Sequence, residues 1–206
     1  MRAALIAAFV ALATTQTATQ AIQKRDEEIR AALPPAGQEP TAAQKDKAED
    51  LLTKFIDFEG MAKAALGSQW EKMTPKKRSD LIKAFSKRLK QASASQLDFY
   101  RSTEIKYETE TGNGGDVTVP TSMVVKGEPT HVNYVMRQDK DGVWKIEDIV
   151  IDDLSTIETY RGQFQKVIAK EGVDGLIARL NKEPQTKASD KPAATGVAPA
   201  PAPKTP

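Results

Sequence analysis

The sequence predicts an α+β domain in which a four-stranded antiparallel sheet is packed on one face by several helices. Three observations carry that prediction. Apolar residues recur at helical spacing from Thr41 towards Tyr100, they alternate with a period of two over the following segment, and helical spacing returns after Ser155.

The elements follow in order. Met1 to Ala21 has one basic residue, Arg2, then an apolar run from Ala3 to Ala13, then small and polar residues ending in Thr19-Gln20-Ala21. This is the layout of a secretory signal peptide, with cleavage expected near Ala21. The run is about half of the ~20 residues that a membrane-spanning helix requires. Residues 22–40 read as a linker or amino-terminal segment, with a charged stretch from Gln23 to Arg30 and the breaker Leu33-Pro34-Pro35-Ala36-Gly37.

Thr41 and Gln44 stand as a capping box, opening a helix with Ala48, Leu51, Leu52, Phe55 and Ile56 on one face. A short helix carries Phe58, Met61, Ala62, Ala65 and Leu66 and stops at Gly67. Thr74-Pro75 places an N-cap before proline at the first helical position of a long helix with Leu81, Ile82, Phe85 and Leu89 inward.

Turns at Gly112-Asn113-Gly114-Gly115, Gly127-Glu128-Pro129 and Asp139-Lys140-Asp141-Gly142 divide the next stretch into four strands. These hold Ile105 and Tyr107; Val117 to Val125; Val132, Tyr134 and Met136; and Trp144, Ile146 and Ile149 to Ile151. Pro120 predicts an edge position or a bulge in the second. Asp152-Asp153 ends the last strand, and Ser155 with Glu158 caps a helix bearing Ile157, Tyr160, Phe164 and Ile168. It ends near Gly172, and a final helix presents Val173, Leu176, Ile177 and Leu180. The domain is thus expected over residues 41–183, and 184–206, rich in alanine and proline, form a tail unable to bury a core.

Composition narrows the function. The absence of cysteine removes disulfides, thiol nucleophiles, cysteine-bound metal and a lipidated cysteine. Thirty Lys and Arg against 28 Asp and Glu give a net charge of +2, without the basic excess of a nucleic-acid-binding protein. The single histidine, His131, stands without a paired carboxylate, so neither a catalytic triad nor a metal cluster is expected. Gly112, Gly114 and Gly115 precede a strand and read as a hairpin turn, not a phosphate loop. Neither an enzyme nor a cofactor is expected.

Three signatures carry a resemblance: Phe58-Glu59-Gly60-Met61-Ala62 leading to Ala65-Leu66-Gly67 and Trp70; Trp144-Lys145-Ile146-Glu147-Asp148 leading to Ile151; and Ser155 leading to Tyr160-Arg161 and Phe164. In this order and spacing the chain resembles the MlaC (toluene-tolerance Ttg2) family. The resemblance implies a monomeric periplasmic carrier that ferries glycerophospholipid between an outer-membrane lipoprotein complex and an inner-membrane ABC transporter complex. The alanine- and proline-rich tail and the charged segment Gln23 to Arg30 depart from the family pattern.

Lipid carriage requires an apolar cavity, because each methylene exposed to water costs about 0.8 kcal/mol. The helices are therefore expected to enclose one against the sheet, walled by Met61, Leu66, Phe85, Leu89, Tyr134, Met136, Ile146, Ile149, Ile151, Tyr160 and Phe164. Ordinary core packing is the competing reading of each residue. Asp148 and Arg161 are expected to form a buried pair between the last strand and its following helix. Lys76, Lys83, Lys87 and Lys90 lie along one helix face, as a solvated stripe or a surface for anionic groups. The rival to the carrier is a pocketless interaction module of the envelope.

Overall fold

The computed structural model describes residues 16–94, 97, 101, 103–113, 115–125 and 127–182. The apolar run of the expected signal, Tyr100 and the tail lie outside the described residues. Helices come first, those fully described being α1 (Ala18–Ala32), α2 (Ala42–Lys54), α3 (Phe58–Leu66), α4 (Ser68–Glu71) and α5 (Pro75–Ala94). Six strands follow, β1 (Ile105–Tyr107), β2 (Thr111–Asn113), β3 (Asp116–Val125), β4 (Glu128–Gln138), β5 (Trp144–Ile151) and β6 (Leu154–Ser155), and then α6 (Thr156–Asn181).

The helix boundaries follow from their caps. Thr41 and Gln44 form both reciprocal bonds of a capping box, and Thr74 Oγ1 accepts from Lys77 N at 3.3 Å ahead of Pro75. Asp57 caps α3 by accepting from Gly60 N at 2.8 Å. A β-carbon on residue 60 would collide with that carboxylate, so the glycine of the first signature serves the cap. Gly67 ends α3 at φ 54°, and Gly172, at φ 69°, kinks α6 where the sequence places a break between two helices.

Residues 22–32, within the expected linker or amino-terminal segment, form the body of α1, whose capping box of Thr17 and Gln20 starts the helix ahead of the expected leader boundary. Ala18, Ala21, Ile22 and Ile29 are buried along one side. The breaker at Pro34-Pro35 joins α1 to α2, and the two helices pack through Ile29, Ala32, Leu33, Ala48 and Leu52.

The sheet is antiparallel with order β1-β3-β4-β5-β6, and β2 also pairs with β3. The four expected strands are present, with two short ones added. Pro120 explains one addition. It lies inside β3, flanked by β4 on one side, and not at an edge. The neighbouring strand is interrupted opposite it: β1 pairs with β3 up to Tyr107–Thr121 and β2 resumes at Thr111–Thr118. Proline has no N–H to give, and the ladder breaks where one is missing. β6 arises because Asp152 and Asp153 both adopt positive φ, 45° and 67°, folding the chain back on β5.

A bulge between Val135 and Met136 shifts the β4–β5 register, leaving Glu147 extra on β5. The bulge is why Ile146 and Ile149, an odd number of residues apart, are both buried. The inward face of the sheet, including Val119, Val132, Tyr134 and Ile149, packs with Ala18 and Ile22 of α1. A separate apolar cluster joins α3, α5 and α6 around Phe85.

Candidate functional site

The residues expected to wall a cavity are all buried, none more than 5% exposed, and they fall into two groups. Met61, Leu66, Phe85, Leu89, Tyr160 and Phe164 belong to the helical cluster. Tyr134, Met136, Ile146, Ile149 and Ile151 belong to the sheet cluster. Aromatic contacts organise the helical half: the Phe85 ring meets Tyr160 edge-on at 4.9 Å and Phe164 at 5.6 Å, and Phe58 approaches it at 6.4 Å. Two surface grooves of about 490 Å³ each, one beside Pro75 and Ile82 and one beside Val124 and His131, are lined by none of these residues.

β5 is the strand that ties the two halves together. At one end Ile146 accepts from Asp57 N at 2.9 Å and donates to Phe55 O at 2.6 Å, pinning the α2–α3 joint to the sheet. Two residues on, Asp148 holds the start of α6. Its carboxylate accepts from Ile149 N, Ile157 N and the Ser155 hydroxyl at 2.8, 3.1 and 2.6 Å. Thr156 completes the joint by donating to Ile149 O at 2.7 Å. The helical layer therefore meets the sheet through two short polar joints with apolar surface on both sides.

The expected Asp148–Arg161 pair is not formed. Asp148 is saturated by Ser155 and backbone donors, whereas Arg161 donates from Nε and Nη2 to Ala64 O at 3.3 and 3.0 Å and pairs with Glu158 at 2.6 Å. Its guanidinium thus satisfies a carbonyl in the last turn of α3, where helical partners run out. The physical reason is geometric: Asp148 sits at the amino-terminal end of α6, and Arg161 projects to the neighbouring helix.

One buried charged group was invisible as such. Arg25 and Asp26 are each 1% exposed, within the charged run from Gln23 to Arg30 that the sequence places in a linker or amino-terminal segment. Asp26 accepts from Arg25 Nε and Nη2 at 3.0 and 2.7 Å and from the Tyr107 hydroxyl at 2.7 Å. The Arg25 guanidinium lies 5.1 Å above the Tyr134 ring. Burial, and then the Asp26 charge beside it, hold the Tyr107 phenol well above its ordinary pKa. The sheet half of the candidate wall is therefore backed by an ion pair. The spacing of Ile22, Asp26 and Ile29 on one helical face is the signal that points inward.

The basic stripe of α5 is partly neutralised. Lys76 pairs with Asp80 and Lys90 with Asp50, whereas Lys83 and Lys87 are exposed without an ion pair among the described residues. His131 is exposed on β4, and the described residues hold no cluster of three His, Asp or Glu suited to a metal.

Comparison with known proteins places this geometry. A curated relative from Haemophilus influenzae, the intermembrane phospholipid transport system binding protein MlaC, is 24% identical over 168 residues, which span 79% of this chain and 78% of that protein. The solved structure of a phospholipid-binding protein from Ralstonia solanacearum, in complex with a phospholipid, aligns with a TM-score of 0.67 at 25% identity. That alignment covers 80% of this chain and 94% of the other. The family profile described as MlaC protein matches residues 12–182, taking in α1 through α6, and the chain belongs to the MlaC family.

Proposed function

We propose that the chain is a periplasmic phospholipid carrier, shuttling glycerophospholipid between the outer and inner membranes as the soluble component of an ABC-type lipid transport system. The observation that carries this reading is the likeness, over 80% of its length, to a Ralstonia solanacearum protein that holds a phospholipid. No helix among the described residues is long and apolar enough to cross a membrane, as a carrier that moves through an aqueous space requires.

In this reading the acyl chains lie between the helical and the sheet clusters. Met61, Leu66, Phe85, Leu89, Tyr160 and Phe164 form one wall, and Tyr134, Met136, Ile146, Ile149 and Ile151 the other. The chains gain about 0.8 kcal/mol per methylene removed from water, which offsets parting the two layers. The joints at Ile146 and Asp148 keep the layers attached while the apolar seam between them opens. The inner-membrane ABC transporter complex and the outer-membrane lipoprotein complex are the partners that load and unload it.

The test is mass spectrometry of organic extracts from protein purified from periplasm without detergent. Near-stoichiometric phospholipid supports the carrier. A folded protein free of lipid, even after incubation with phospholipid vesicles, overturns it in favour of a pocketless interaction module.

A further inference from the structure

We propose that the Tyr160 hydroxyl and the Arg88 guanidinium receive the phosphate of the bound phospholipid, at the point where the helical cluster gives way to the basic surface of α5. The inference rests on the carrier reading and adds the polar end of the ligand to it.

Tyr160 is 5% exposed, and its hydroxyl is buried with no hydrogen-bond partner among the described residues. Buried hydroxyls are ordinarily paired, because an unpaired one forfeits its hydration without return. The ring has no freedom to swing out, being wedged against Phe85 at 4.9 Å and Phe164 at 5.4 Å. A polar acceptor brought by a ligand satisfies it where the protein does not.

Arg88 stands one helical turn after Phe85 on α5, so it emerges on the side that carries the Tyr160 contact. It is half-buried and meets no carboxylate among the described residues. Its charge reaches the Tyr160 phenol, partly opposing the rise that burial imposes. Lys83 and Lys87, without an ion pair among the described residues, flank it, whereas the ends of the stripe are neutralised by Asp80 and Asp50. A buried phenol donor, with a guanidinium on the same side of α5 that meets no carboxylate among the described residues, calls for an anionic acceptor with several lone pairs, and a phosphodiester supplies it. An acyl chain or a free alcohol does not.

The experiment equilibrates delipidated wild type, Arg88→Gln, Arg88→Lys and Tyr160→Phe with dioleoylphosphatidylglycerol vesicles doped with dioleoylglycerol, two lipids with the same chains. Bound lipid is quantified by mass spectrometry, and near-ultraviolet circular dichroism verifies folding. Wild type is expected to enrich the phospholipid over dioleoylglycerol about tenfold, the scale of one charge-assisted bond. Arg88→Gln and Tyr160→Phe bring the ratio towards parity, and Arg88→Lys restores part of it. An unchanged ratio in folded Arg88→Gln and Tyr160→Phe overturns the proposal, as does an equal loss of both lipids. Inorganic phosphate alone, titrated calorimetrically into delipidated protein, is expected to give no Arg88-dependent heat; saturable binding would assign the pair to free phosphate instead. Wild type that takes up neither lipid refutes the carrier reading itself.

Discussion

Replacing Asp26 with alanine removes three hydrogen bonds at once, two from Arg25 and one from Tyr107, and leaves a guanidinium that is 1% exposed without its carboxylate. Breaking one side of a buried ion pair costs about 3–5 kcal/mol, mainly because the remaining charge stays out of water. For a domain of this size each kcal/mol lowers the melting temperature by about 2–4 °C, so the expected drop is on the order of 10 °C. Thermal and urea unfolding followed by circular dichroism measure it. Tyr107→Phe, which removes only the hydroxyl bonded to Asp26, should lose about 1–3 kcal/mol. The two losses will not add, because both act through Asp26. The double variant Arg25→Met/Asp26→Leu removes both charges and should recover part of the loss, the Tyr107 hydroxyl still lacking its acceptor. If Asp26→Ala costs under about 1 kcal/mol, as an exposed pair would, or if the double variant is as unstable as the single, the reasoning from a buried pair fails.

Protein beginning at Ile22 should be less stable than protein beginning at Gln16 by about 3 kcal/mol or more. It lacks the Thr17 cap, buried Ala18 and Ala21, the Thr19 bonds to Glu110 and the Gln16 carbonyl that accepts from Trp144. By the same argument mass spectrometry of the mature protein should find an amino terminus ahead of Thr17. Ile146→Trp overfills a site that is 0% exposed, and should cost about 1–3 kcal/mol while lowering bound lipid per folded molecule; undiminished lipid would remove Ile146 from the wall. Arg161→Met frees the Ala64 carbonyl and should cost about 1–2 kcal/mol in urea unfolding, with no loss if solvent replaces the guanidinium. Burial pushes Tyr160 from 10.0 up to about 12. A raised folded-state value means that its contribution to stability is complete below pH 10 and is lost as pH climbs through about 12. Phenolate absorbance should therefore show a late step that Tyr160→Phe lacks.

The elements with strong local signals were legible from the chain. Thr41 with Gln44, Thr74-Pro75 and Gly67 each announce a helix end because a cap is made within three or four residues of itself. The alternation through Val117 to Val125 and Val132 to Met136 is equally local, since a strand buries every second side chain. Elements without such autonomy were not legible. β2 exists because Pro120 interrupts the ladder on the neighbouring strand, and β6 because two consecutive aspartates accept positive φ. The helix α1 was obscured by its charges, since a buried Arg25 and a solvated one look alike until Tyr107 and Tyr134 are brought beside it.

The same division holds for the site. By itself the sequence determined which residues are apolar and on which face of each helix or strand they fall, and hence that Phe85, Ile146, Tyr160 and their companions would be buried. Period and capping are set within a few residues of chain. Only the tertiary structure decided that these residues separate into a helical and a sheet cluster hinged on β5. It alone decided that Asp148 serves the start of α6 while Arg161 serves α3, and that the Tyr160 hydroxyl is buried without a hydrogen-bond partner among the described residues. Those outcomes depend on contacts between residues far apart in the chain, and the partner a polar group finds is fixed by where packing sets it down.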